Sequence, residues 1–209
     1  MDDLQQQLQQ GCETLAVDLS VDQIVQLMSY VQLLAKWNKT YNLTSVREPA
    51  DMISRHILDS LAILPYLTGN SLLDVGTGAG LPGIPIAIVR PDIAITLLDS
   101  NSKKTRFLQQ AKAELALTNV TVVHARIEQA NLAKFAMVTA RAFATVADII
   151  DLAGRHCDDA GCLLLMKGTD PQDELGVIGE QFKVREVVSL VIPGSTAERH
   201  LVCLINNKG

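Results

Sequence analysis

Residues 72–85 read LLDVGTGAGLPGIP, from Leu72 to Pro85. A short apolar run delivers Asp74, three glycines follow at Gly76, Gly78 and Gly80, and a second apolar segment opens at Gly83. This is the pattern of a buried strand that bends sharply into a helix. Glycine suits such a bend because it adopts left-handed backbone at no steric cost and lets the main chain come close to a ligand.

The spacing separates two cofactor classes. A dinucleotide site wants GxGxxG, with the pyrophosphate on the helix N-terminus. Here the third glycine comes one residue early and Leu81 holds its place, while Pro82 and Pro85 reshape the turn. Asp74 suits a ligand carrying a cationic amine. S-adenosylmethionine has such an amine, a sulfonium and no phosphate, so it is the expected cofactor. Asp99 closes the next strand about twenty residues past the turn, where a carboxylate can accept the ribose hydroxyls. Ile127 and Glu128 follow the third strand and offer an apolar wall and a polar edge for adenine.

Working outward, residues 70–207 alternate strand and helix, which predicts a mainly parallel sheet with crossover helices. Strands are expected at 71–75, 94–99, 120–124, 136–140, 161–167, 182–192 and 200–205. Helices are expected at 83–89, 103–117, 146–155 and 171–179. Pro193, Gly194 and Ser195 separate the last two strands at hairpin distance, so that pair is expected to be antiparallel. Residues 1–68 read as helical. Ser20 can cap a helix carrying Ile24, Leu27, Met28, Val31, Leu34 and Trp37 on one face. Pro49 suits the first turn of another, carrying Met52, Ile53, Ile57, Leu61 and Leu64. The expected organisation is a helical extension over 1–68 joined to one compact unit over 69–209.

The totals narrow the function classes. A net charge of −5 argues against a surface that grips nucleic acid all over, but leaves room for a local basic patch. No apolar run approaches the length of a membrane span. The opening MDDLQQQLQQ is acidic and polar, unlike a signal peptide, so the expected location is the cytoplasm. Cys12, Cys157, Cys162 and Cys203 form no CxxC pair and have no His at ligand spacing, so free thiols and no metal are expected.

Several stretches together resemble the bacterial small-subunit (16S) ribosomal RNA guanine-N7 methyltransferases, the glucose-inhibited division protein B family. They are KWNKTYNLTSV (Lys36–Val46), RHILDS (Arg55–Ser60), DVGTGAGLPGIP (Asp74–Pro85), LLDS (Leu97–Ser100), ARAF (Ala140–Phe143), LMKG (Leu165–Gly168) and ERHL (Glu198–Leu201). The resemblance implies a class I S-adenosylmethionine-dependent methyltransferase: Rossmann-like, with a mainly parallel seven-stranded sheet, an antiparallel last strand and added N-terminal helices. It implies methylation of N7 of one guanine in 16S rRNA within the small ribosomal subunit. The sequence itself leaves the oligomeric state open, with a monomer favoured. It also implies cofactor contacts from Gly76, Leu81, Ile127, Glu128 and Arg141.

Guanine N7 has a lone pair and no proton to lose, so no catalytic base is expected and none is assigned. Arg126, Arg141, Lys167 and Arg199 are expected together at the ligand edge of the sheet. Of these, Arg126, Lys167 and Arg199, with His200, are the candidates for rRNA. His56 and Asp59, at i and i+3, are expected to share a helix face in a structural hydrogen bond rather than an acid–base pair. Asn38 and Asn42 should organise the turn after Trp37, and Trp37 is expected in the core. Two alternatives share the same cofactor turn: a small-molecule methyltransferase, and a module that senses the cofactor without turnover.

Overall fold

The computed structural model describes residues 2–141, 144–176 and 178–207. Ala142 and Phe143 of the ARAF stretch lie outside the described residues, as does Val177 of the helix expected over 171–179.

The N-terminal section comprises α1 (Asp2–Thr14), α2 (Val21–Tyr41), α3 (Pro49–Met52), a π-helical turn (Ile53–Leu58) and α4 (Asp59–Leu61). α2 starts where Ser20 and Gln23 cap each other: the Gln23 amide donates to Ser20 Oγ and the Ser20 amide to Gln23 Oε1. It ends at Asn42 in left-handed backbone. There the Asn38 side chain replaces the lost helical bonds, donating to Val46 O and accepting from the Thr44 amide, both at 2.9 Å.

The remainder runs β1 (Ser71–Val75), α5 (Gly83–Val89), β2 (Ala94–Asp99), α6 (Ser102–Glu114), β3 (Val120–His124), β4 (Phe135–Arg141), α7 (Val146–Ala153), β5 (Cys157–Lys167), α8 (Gln172–Leu175), β6 (Phe182–Ser189) and β7 (His200–Asn206). The seven strands form one sheet in the order β3-β2-β1-β4-β5-β7-β6. Only β7 runs against its neighbours, β5 and β6. The order reverses between β1 and β4, where doubly wound sheets open a ligand crevice.

Alternation along the strands sorts side chains to two faces. Leu72, Ile95, Leu97, Met137, Leu164 and Leu201 join a core with α1, α2, α5, α6 and the third helical segment. Leu73, Leu98, Val138, Leu163, Leu165 and Val202 face the other way, onto α7.

Four elements differ from expectation: α8 covers only Gln172–Leu175 of the helix expected over 171–179, β6 ends at Ser189 rather than at 192, and β5 and the third helix differ as well. β5 starts at Cys157 rather than Gly161. Its ladder with β4 slips between Phe135 and Met137, and a Cβ on Gly161 would stand 2.9 Å from Ala136 O, so glycine here permits a bulge instead of ending the strand. The helix expected from Pro49 is interrupted by the π turn, a feature that recurs at functional sites.

Candidate cofactor and substrate clefts

Asp74 is fully buried. Its Oδ2 accepts from Thr77 Oγ1 at 2.6 Å and from the Gly83 amide at 2.8 Å, so it clamps the glycine turn from within. Its Oδ1 has no hydrogen-bond partner among the described residues. Burial pushes this carboxyl up to about 7. Tyr30 reaches across from α2 and donates to Ala79 O at 2.7 Å, tying the turn to the N-terminal helices. Thr77, Gly83 and Tyr30 escaped sequence reading. Gly83 lay in plain view, but Tyr30 sits inside an apolar helix face and carries no local signal.

The glycines divide by role. Gly76, Gly78 and Gly80 all have positive φ. A Cβ on Gly78 would meet nothing nearer than Lys104 Nζ at 3.8 Å, so that side of the turn is open to a ligand. A Cβ on Gly80 would run into Ile84 and Leu108, so Gly80 serves packing. Leu81 is buried in the core.

The open side of the turn faces a cleft of about 290 Å³ lined by Gly76, Leu98, Asp99, Arg126, Ile127 and Glu128, among others. Asp99 accepts from the Gly78 amide at 2.9 Å and the Asn101 amide at 2.8 Å, with Lys104 Nζ at 3.8 Å. Arg155, which the sequence did not single out, donates to the carbonyls of Ile127 and Glu128 at 2.7 and 2.8 Å and holds the turn forming the cleft's far wall. These residues fit S-adenosylmethionine. Asp99 can take the ribose, buried Ile127 can lie against adenine, exposed Glu128 can meet its amino edge, and bare backbone at Gly76–Gly78 leaves room for the rest.

A second cleft, of about 330 Å³, lies over the ends of β4, β5 and β7 and includes Thr44, Arg55, His56, Asp59, Arg141, Lys167 and Arg199. Asp59 is 1 % exposed. It accepts from Arg141 Nη1 at 3.0 Å and from Arg199 Nε at 2.7 Å. Lys167 Nζ donates to Ala144 O at 2.8 Å and pairs with Glu174 at 2.9 Å. His56 Nδ1 lies 2.9 Å from Arg55 O and its Nε2 lies 2.9 Å from Thr44 Oγ1. Burial, reinforced by the Arg141 charge, pulls its pKa down to about 4, so the ring is neutral near pH 7. Placing the proton on Nδ1 satisfies both contacts, with Thr44 donating to Nε2. His56 and Asp59 therefore share the cleft without forming an acid–base pair, each engaged by its own structural partner.

The four basic residues divide. Arg141, Lys167 and Arg199 meet in the second cleft because β4, β5 and β7 are neighbours in the sheet. Arg126 follows β3, the far edge strand, and lines the first cleft instead. Arg141 likewise stands in the second cleft, bonded to Asp59, and not among the residues lining the first. His200 lines neither; it pairs in register with Lys167, half-buried, and its Nδ1 has no partner among the described residues. The two clefts abut, since Val75 and Ala140, the residues before Gly76 and Arg141, are direct partners across β1 and β4.

All four cysteines are buried and free. Burial pushes Cys12 and Cys203 up to about 11 and Cys157 to about 12, so each is a protonated thiol.

Comparison with known proteins gives the family and the fold. The profile of the GidB family, described as rRNA small subunit methyltransferase G, matches residues 23–202. A ribosomal RNA small subunit methyltransferase G of Nitrosococcus oceani is 49% identical over 198 residues, covering 94% of this chain and 92% of its own. That of Methylobacillus flagellatus is 47% identical over 202 residues, covering 96% and 98%. Among solved structures, a SAM dependent methyltransferase from Aquifex aeolicus superposes with a TM-score of 0.60 at 17% identity, over 78% of this chain and 97% of its own, and so supports the fold. The chain therefore belongs to the GidB family of small-subunit rRNA methyltransferases G, and its cofactor is S-adenosylmethionine.

Proposed function

We propose that this enzyme methylates N7 of one guanine in 16S rRNA of the small ribosomal subunit, acting as a monomer in the cytoplasm on assembled or nearly assembled subunits. The observation that carries this reading is the pair of abutting clefts, one lined for a nucleoside and the other lined by Lys167 and by Arg141 and Arg199, which share one buried carboxylate. A methyltransferase for small apolar metabolites would need an enclosed apolar pocket; a cationic cleft suits a polyanion. Residues 1–68 are read as a helical extension of the unit 69–209, supported by the core they share.

Bound S-adenosylmethionine supplies an electrophilic methyl on sulfur. The protein's task is then alignment, because N7 has nothing to deprotonate; holding reactants in line can be worth roughly 7–11 kcal/mol. Asp99 and the glycine turn hold the donor. Arg141 and Arg199, each with N–H groups not engaged by Asp59, can donate to guanine O6 or to phosphate, which fixes N7 toward the methyl. Neutral His56 braces the Thr44 loop over the same cleft.

Deletion of the gene, followed by borohydride–aniline cleavage of 16S rRNA, tests the reading. Cleavage at one guanine should disappear and return on complementation. An identical cleavage pattern with and without the gene would sink it.

A further inference from the structure

A third cleft lies outside both sites. It measures about 530 Å³ and opens between α2, α6 and β3, where Trp37, Arg106, Gln109, Gln110, Val122 and His124 face it. Trp37 is half-buried rather than fully in the core. It meets Phe107 edge-on at 5.7 Å and stacks with Tyr41 at 5.1 Å, and Tyr41 is 40 % exposed. Arg106 is exposed and forms no ion pair among those of the described residues, and the cleft lining contains no carboxylate. In a chain of net charge −5, residues 36–41 and 102–114 hold Lys36, Lys39, Lys103, Lys104, Arg106 and Lys112 against Glu114 alone. His124 bonds to Ser100 O at 3.0 Å, and Ser100 lines the cofactor cleft, so the third cleft borders the catalytic edge of the sheet.

An aromatic platform beside an exposed arginine is how proteins hold single-stranded nucleic acid: bases stack and the backbone follows the charge. We infer that this cleft docks an unpaired nucleotide of the rRNA substrate, with its base on the Trp37–Tyr41 pair and a phosphate on Arg106. The inference rests on the rRNA reading above. It adds an anchor that contributes to affinity for the subunit and takes no part in methyl transfer.

Trp37 is the sole tryptophan of the chain, so its emission reports on the cleft directly. Titration of the full-length enzyme with a single-stranded oligoribonucleotide should quench that emission to saturation. Tyr41→Ala should raise KM for small subunits about fivefold or more. Arg106→Gln should lower the slope of log affinity against log salt by about 0.7. Lys183→Gln, on the exposed face of β6, should do neither, and cofactor affinity should stay at the wild-type value in every variant. Unquenched emission, or wild-type KM in Tyr41→Ala together with a wild-type salt slope in Arg106→Gln, overturns the proposal while leaving the methyltransferase reading intact. Weakened binding to subunits with unchanged binding to protein-free 16S rRNA overturns it as well, in favour of a ribosomal protein. Failure of the wild-type enzyme to methylate subunits overturns the functional reading, whereas the quenching titration still decides the cleft.

Discussion

Asp59 and Arg199 stand 140 residues apart in the chain and 2.7 Å apart in the fold. With Arg141, held at 3.0 Å on the other carboxylate oxygen, they tie the N-terminal helices to the ends of β4 and β7. Breaking a fully buried pair costs about 3–5 kcal/mol. Both guanidiniums here are about one fifth exposed, so water can partly replace the lost carboxylate. Asp59→Ala is expected to cost about 2 kcal/mol in denaturant unfolding, less than that fully buried figure. It should lower turnover on subunits about 100-fold, as misplacement of binding groups does. Asp59→Asn should recover part of the stability, since an amide oxygen can still accept from one arginine.

Truncating the arginines separates the clefts. Arg199→Ala should leave the calorimetric affinity for S-adenosylmethionine within about twofold of wild type and reduce methylation of small subunits by 10-fold or more, on the scale of one good bidentate contact of about 1–3 kcal/mol. Arg141→Ala should behave alike, because its side chain lies with Arg199. A large loss of cofactor affinity in Arg141→Ala would instead assign that residue to the cofactor.

Two glycine substitutions in one turn should act oppositely. Gly78→Asp places a carboxylate on the open, ligand-facing side at φ +63°, so cofactor binding should fall below detection while the enzyme still melts cooperatively. Gly80→Ala drives a methyl into Ile84 and Leu108 at φ +93°, and should cost about 1–3 kcal/mol as overpacking does. Retained cofactor affinity in Gly78→Asp would falsify the placement of the ligand at this turn.

The pH dependence of stability should show two opposing groups. Asp74, raised from 3.8 to about 7, keeps a proton in the fold that the unfolded chain releases, so it weakens the fold as pH rises through that window. His56, lowered from 6.5 to about 4, refuses a proton that the unfolded chain accepts, so it weakens the fold as pH falls from 6.5 toward 4. Asp74→Asn should therefore steepen the rise of melting midpoint with pH over this range, and His56→Gln should flatten or invert it. Curves parallel to wild type in both variants would show that neither group titrates as its burial requires.

The glycine turn, the parallel sheet and the antiparallel last pair were legible in sequence because each is a local pattern. Gly76 and Gly78 announce a backbone that must bend, and Ser20 announces a cap. β5 was cut short because Gly161 looks like a terminator in sequence, whereas in the sheet it accommodates a bulge beside Ala136. The π turn at Ile53–Leu58 shows no warning in sequence, since its apolar spacing fits an ordinary helix too.

Sequence alone located the glycine bend and the acid some twenty residues on, because both belong to one strand–helix–strand unit whose geometry is set locally. It could nominate Arg126, Arg141, Lys167 and Arg199 but could not group them. That grouping depends on strand order, which follows from how the whole sheet packs. Only the tertiary structure put Arg141 and Arg199 on one buried carboxylate, left Arg126 across the sheet, and set Trp37 and Arg106 around one cleft, since each of these groupings joins segments that come together only when the core closes.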